Sequence, residues 1–276
     1  MTHLSYRRQM KVRPRRIGPG EMFCAMPMRL AKAKAKAEEL MIVSLMGDRK
    51  LFGLAYYELQ PDYFDIMPRG SGVFVAPLVR TSDIILSARK PGDIDLLVIP
   101  YEKNELVLDR VLAIEVKAIR ATFSRQGKSP NEFGFSQASS LLDLGFPYVA
   151  VAHLIVSDIS PEDHWREMYH AEVLDREGNV KPLGPVMVDP LPDILTDRSF
   201  GRLRSNCPLP TIGLLSAYLF SPLFENIEHD KHQIHFPTGS AACFNPRFEV
   251  KTLEAVASYF DENASCFLDN PRYDPV

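Results

Sequence analysis

The chain has 276 residues, 46% of them hydrophobic and 24% charged, a globular composition that excludes collagen-like, coiled-coil and wholly disordered readings. Its longest apolar runs, such as Tyr148 to Val156, reach about half of the roughly 18 residues a membrane span needs. The N-terminal stretch is basic but lacks the apolar core of a secretory signal, so a cytoplasmic protein with no membrane partner is expected. Cys24, Cys207, Cys243 and Cys266 are far apart with no CxxC spacing, which argues for reduced, structural thiols.

The net charge of −3 conceals an asymmetry. Ten of the 32 basic side chains but only one of the 35 acids fall within residues 1 to 36, which leaves the remainder at −12. A positive arm on an acidic body suits a polyanion-binding surface, and it equally suits a solvated tail.

In chain order, residues 1–26 read as a basic arm without a regular element, since Pro14, Gly18, Pro19 and Gly20 interrupt the arginines. A helix is predicted from Pro27 to Gly47, rich in Ala, Leu, Lys and Glu. Short strands are expected around Val73 to Val79 and Asp83 to Ser87. A hairpin follows, Asp93 to Ile99 and Leu106 to Ile119, then a polar loop from Thr122 to Asn131. A helix near Glu132 to Leu144 is closed by Gly145, and Tyr148 to Ser157 reads as a buried strand. Beyond Asp158 we expect a helix near Pro161 to Val173, a Pro-rich connection from Lys181 to Pro210, an apolar stretch from Thr211 to Phe220 and a helix near Glu249 to Phe260. The expected fold class is α/β, a central mixed sheet flanked by helices over 27–157, with a C-terminal α+β extension over 158–276 that serves target choice or assembly.

Period-two alternation puts Glu115 and Lys117 on one face of their strand with Ala113 and Ile119. On the neighbouring strand Asp93 and Asp95 share a face with Leu97 and Ile99. Buried charges need pairing, metal coordination or a catalytic task. Antiparallel neighbours would bring Asp95 towards Glu115, and two carboxylates held together invite a divalent cation. A wet hairpin face with ordinary surface charges is the plainer alternative.

Gly92-Asp93-Ile94-Asp95 opening one strand and Glu115-Val116-Lys117 in the next resemble the PD-(D/E)xK nuclease superfamily, over about Met28 to Ser157. The resemblance implies a restriction-endonuclease-like core and a Mg²⁺-dependent endonuclease, with Mn²⁺ as a substitute, that hydrolyses DNA phosphodiester bonds. It makes Asp95 and Glu115 metal ligands and Lys117 the group that orients water or stabilises phosphate charge. Asp93 is the rival for the first ligand. An acid from the first helix, Glu38 or Glu39, is a further ligand candidate, and Gln137 on the helix after the ExK strand either points at the site or is a satisfied core amide.

Clustered carboxylates with hard oxygen ligands suit Mg²⁺, which supplies nucleophile activation and charge neutralisation together. Arg13, Arg15, Arg16 and Lys36 in the basic segment and Arg120, Arg125 and Lys128 beside the ExK strand are candidate phosphate contacts, or else solvated side chains. A homodimer or a partner subunit is compatible with this reading, as is a role in restriction or anti-phage defence. The alternative from another class is a non-catalytic protein that keeps the fold and binds nucleic acid or a partner. His229, His232 and His235 lie among acids, Glu228 and Asp230, with no nearby cysteine, a poor zinc set, and His153 reads as a core histidine.

Overall fold

The computed structural model describes residues 6–14, 37–85, 92–175, 177–220 and 235–272. Arg15, Arg16, Lys36, His229, His232 and the start of the helix expected from Pro27 lie outside them. The described residues open on a short strand, β1 (Arg7–Gln9), and continue with α1 (Ala37–Gly47), α2 (Arg49–Leu59) and α3 (Pro61–Ile66). Asp48 separates the first two helices as an N-cap, its carboxylate accepting the Lys50 and Leu51 N–H groups. Phe52, Ala55, Tyr56 and Leu59 then form the buried stripe of α2.

Strand β2 (Ser71–Arg80) leads through a single helical turn, α4 (Thr81–Ile84), towards β3 (Asp93–Glu102). The strand expected from Asp83 to Ser87 is at its start a helical turn instead, Leu86 and Ser87 lying outside the described residues, with Thr81 Oγ1 donating to the Gly92 carbonyl at 2.6 Å. The segment expected as one strand from Leu106 is two, β4 (Glu105–Val107) and β5 (Leu112–Arg120), with a 3₁₀ turn at Leu108–Arg110 between them. Both pair antiparallel with β3. Next come α5 (Phe135–Asp143) and β6 (Tyr148–Val156), parallel to β5, so the intervening helix makes the crossover that a parallel pair requires.

Where a helix is expected near Pro161, a two-stranded ribbon stands, β7 (Arg166–Val173) and β8 (Val180–Val188). The expected Pro-rich connection holds β8 and then α6 (Leu191–Asn206), which starts with proline in its first turn. Strand β9 (Gly213–Tyr218) runs parallel to β6, followed by β10 (Thr238–Ser240), α7 (Val250–Glu262) and β11 (Leu268–Pro271). The segment after residue 157 therefore joins the same nine-stranded mixed sheet at both ends, β9 beside β6 and β11 beside β2.

The sheet is covered on both sides. Helices α1 and α2 pack Met41, Ile42, Leu45 and Phe52 against Leu96, Val98, Ile114 and Val116 on one face. On the other, Ala138 and Leu142 of α5 and Val256 and Phe260 of α7 meet Phe74, Leu97, Ile99 and Val149. Every residue of β6 is buried, the mark of a strand covered on both faces. Among the described residues no helix is long and apolar enough to cross a membrane.

The described part of the basic arm is docked. Arg7 pairs with Glu102 and Arg8 with Asp261, each at 2.7 Å, while Lys11 lies 3.2 Å from Asp261. Arg13 stands over the Tyr101 ring, with Asp269 at 3.8 Å. An arm without a regular element is thus corrected to a strand, β1, that adds to β4 and sets its cations on acids of the body.

Candidate active site

Three charged side chains meet where β3 and β5 lie side by side. Asp95 is 9% exposed and its Oδ2 accepts the Val116 N–H at 2.7 Å, an inter-strand bond made by a side chain. Glu115 is 1% exposed, and Lys117 Nζ lies 2.8 Å from its Oε1. The second oxygen, Oε2, is buried with no hydrogen-bond partner among the described residues. Asp93, the rival acid, is exposed at the start of β3, opposite Arg80. Asp95 is the one brought to Glu115.

A fourth charge comes from α1. Glu38 Oε2 accepts the Ala118 N–H at 3.3 Å and Oε1 lies 3.9 Å from Lys117 Nζ. No hydrogen bond or ion pair ties Glu39 to these residues, because one step along a helix turns a side chain by about 100°. Of the two acids proposed from the first helix, the structure thus brings Glu38 to the site.

The electrostatics follow from this packing. Burial, reinforced by the Glu115 charge and opposed by the Val116 N–H, pushes the Asp95 carboxyl up to about 8. Burial likewise raises Glu115, opposed by the hydrogen bond and charge of the Lys117 ammonium. For Lys117 burial works downward, but Glu115, Glu38 and Asp95 outweigh it and hold the ammonium above its ordinary value.

The start of α5 closes the site from one side. Gly134 caps the helix at φ +88°, and a Cβ there would lie 2.9 Å from Glu115 Cγ and 3.6 Å from Lys117 Cε. Only glycine permits both the left-handed backbone and the close approach. Gln137 follows one turn into α5, half-buried. The buried stripe of that helix is Ala138, Leu141 and Leu142, so Gln137 lies at its edge and not in the middle of an apolar face, and no hydrogen bond joins it to the three charges.

His153 is, as expected, a core residue, fully buried on β6. It is also the register partner of Lys117 on one side and Ser216 on the other, which makes a polar row across three buried strands. Its Nδ1 lies 3.1 Å from Ser199 Oγ of α6, its ring stacks on Phe133, and burial lowers its pKa to about 4. Ser199 and Ser216 carry no local signal in the sequence; only the tertiary pairing aligns this row.

Of the candidate phosphate contacts, Arg120 is exposed at the end of β5, and Arg125 and Lys128 are exposed in the following loop. Helix α6 holds that loop: Arg198 donates to Gln126 Oε1 at 2.7 Å and Arg202 to the Lys128 carbonyl at 3.0 Å. Arg13 is instead engaged with Tyr101 and Asp269 on a different part of the sheet.

Among the described residues no group of three or more His, Cys, Asp and Glu is placed to hold a metal ion. Two buried carboxylates with an orphaned oxygen remain a hard-oxygen donor set of the kind Mg²⁺ accepts with waters completing its shell. No family model matches the chain, and no curated protein or solved structure matches it either.

Proposed function

We propose that the protein is a Mg²⁺-dependent endonuclease acting on DNA, with Asp95, Glu115 and Lys117 as its reactive centre. The observation that carries this reading is the pair of buried carboxylates, Asp95 and Glu115, held against one ammonium at the junction of β3 and β5. The order of elements supports it. A helix, three antiparallel strands (β2, β3, β5), a crossover helix and a strand parallel to the third follow the order expected of a restriction-endonuclease-like core.

Asp95 and Glu115 would hold the cation, which supplies a nucleophilic water at neutral pH and neutralises phosphate charge. The chain's own groups do the rest. Lys117, kept protonated by its acidic neighbours, places a fixed positive charge where the phosphorane-like transition state gathers negative charge. The Val116 N–H holds Asp95 in position, and Glu38 tethers the far side of Lys117. Arg120 at the end of β5, with Arg125 and Lys128 in the loop just past it, suits the flanking phosphates.

A second reading is favoured by one observation: the Glu115–Lys117 pair already neutralises itself at 2.8 Å, as it would in a protein that keeps the fold for binding alone. The deciding experiment is incubation of plasmid DNA with the purified protein in Mg²⁺ or Mn²⁺ against EDTA. Cleavage that needs the cation and is lost in Asp95→Asn supports the enzyme. Intact plasmid with both cations, together with DNA binding that Asp95→Asn leaves unchanged, supports the binding protein.

A further inference from the structure

The ribbon of β7 and β8 stands apart from the main sheet. Of its 17 strand residues, Val188 alone is buried. One face carries Tyr169, Val173, Val180 and Met187, exposed by 47% to 78%. A two-stranded ribbon is marginal in water, and extra strands are what stabilise it.

Its two outer edges differ. Pro182 and Pro185 of β8 stand opposite Ala171 and Tyr169 of β7. Proline has no N–H, so these are the non-hydrogen-bonded positions of the ladder, and the prolines turn their missing donors outward. The β8 edge is therefore blunted. By the same geometry the N–H and C=O groups of Tyr169 and Ala171 point out from the β7 edge, which contains no proline.

We propose that the β7 edge pairs with the β7 edge of a second copy of this chain, antiparallel about a two-fold axis at Tyr169, to make a four-stranded sheet. Charge selects both partner and register. With Tyr169 opposite Tyr169 of the partner subunit, Arg166 of each copy faces Glu172 of the other, twice per dimer. These are non-hydrogen-bonded positions of the new ladder, where cross-strand side chains come closest. Centring the axis on Met168 or His170 loses both ion pairs, and centring it between residues turns the wrong backbone groups inward. Within one chain Glu172 has Lys181 beside it on β8, while Arg166 faces Val188, so the cation gains a carboxylate through the second copy. This inference does not depend on the nuclease reading.

The test is the mass of the full chain in solution by sedimentation velocity over a concentration series. The parent should dimerise. Arg166→Glu alone and Glu172→Arg alone should each weaken association by roughly tenfold or more, because two attractive pairs become repulsive. An equimolar mixture of those two variants should recover the dimer, since each copy then supplies the charge the other lacks, a result that general destabilisation of the ribbon would not give. Tyr169→Pro, which removes an outward N–H and leaves the β7–β8 ladder intact, should also give monomer. A parent that stays monomeric at every concentration overturns the proposal. So does a dimer that ignores all three substitutions, or a monomer whose ribbon variants lose DNA binding instead.

Discussion

Asp95 reaches across from β3 to accept the Val116 N–H at 2.7 Å, which pins its carboxylate close to Glu115 on the next strand. A carboxylate held in that place by the backbone cannot move away from its like-charged neighbour. The repulsion is built into the sheet register and is relieved only by a proton, the Lys117 ammonium or a cation.

The first prediction follows from that repulsion. Asp95→Asn should abolish Mg²⁺-dependent cleavage and stabilise the metal-free protein, by about 1–3 kcal/mol. Asp95 is raised from 3.8 to about 8, so the folded chain keeps a proton that the unfolded chain releases first. Parental stability thus falls as pH rises through that window, and the advantage of the variant should grow from pH 4 to 8 and then level off. Urea titrations in EDTA across this range measure it; an advantage that does not change with pH would mean the carboxylates are not strained.

Lys117 pairs with Glu115 and, in the proposed nuclease, stabilises phosphate charge. Lys117→Met should lower turnover by orders of magnitude while DNA affinity in Ca²⁺ changes little. Stability should drop more at pH 8 than at pH 5, since an unpaired, buried Glu115 takes up a relieving proton more readily as the pH falls. Equal losses of binding and turnover would make Lys117 a simple phosphate anchor.

His153 should dominate part of the acid sensitivity. Burial lowers it from 6.5 to about 4, so as pH falls below 6.5 the unfolded chain gains a proton that the folded chain refuses. Stability is lost through that interval by up to about 3 kcal/mol and the loss is complete near pH 4. The difference between parent and His153→Gln, measured from pH 8 to 4, should carry this slope; parallel curves would show that the ring is protonated in the fold.

At Gly134 two constraints coincide, a positive φ and a Cβ position 2.9 Å from Glu115 Cγ. Gly134→Ala should cost about 1–2 kcal/mol from the backbone alone and reduce cleavage by displacing Glu115. Gly127→Ala in the same loop meets nothing within 4 Å and is the control. Equal thermal stabilities for the two variants would contradict the packing described.

Phosphate contacts can be told from intramolecular pairs by salt. Arg125→Ala and Lys128→Ala should each flatten the slope of log affinity against log salt by about 0.9 on duplex DNA. Arg13→Ala should leave it unchanged, because that guanidinium is engaged with Tyr101 and Asp269. A change confined to Arg13→Ala would move the DNA path to the arm.

What the sequence determined by itself is local periodicity. Alternation along Asp93–Glu102 and Leu112–Arg120 suffices to put Asp95, Glu115 and Lys117 on one side of their strands, because the period of two is a property of the extended backbone. The buried strand β6 and the helices α5 and α7 were legible for the same reason, from apolar runs or stripes with terminating glycines or caps. Helix α2 is absent from the elements expected of the sequence, although Asp48 as cap and apolar residues three and four apart carry its signal; its packing on β9 and β10 fixes it. Tertiary structure alone decided the rest. The choice of Glu38 over Glu39 depends on a contact with a strand 80 residues away, and the row Lys117, His153, Ser216 exists only through parallel pairing of distant strands. The ribbon β7–β8 reads as helix and loop because Arg166–Val173 has helical composition and β8 contains prolines; pairing between the two segments overrides both, since each proline sits where the ladder needs no donor. The fate of the basic arm was likewise unreadable. Its positive charge was evident, but that Arg7, Arg8 and Arg13 meet Glu102, Asp261 and Asp269 is set by where those acids come to lie when the sheet closes.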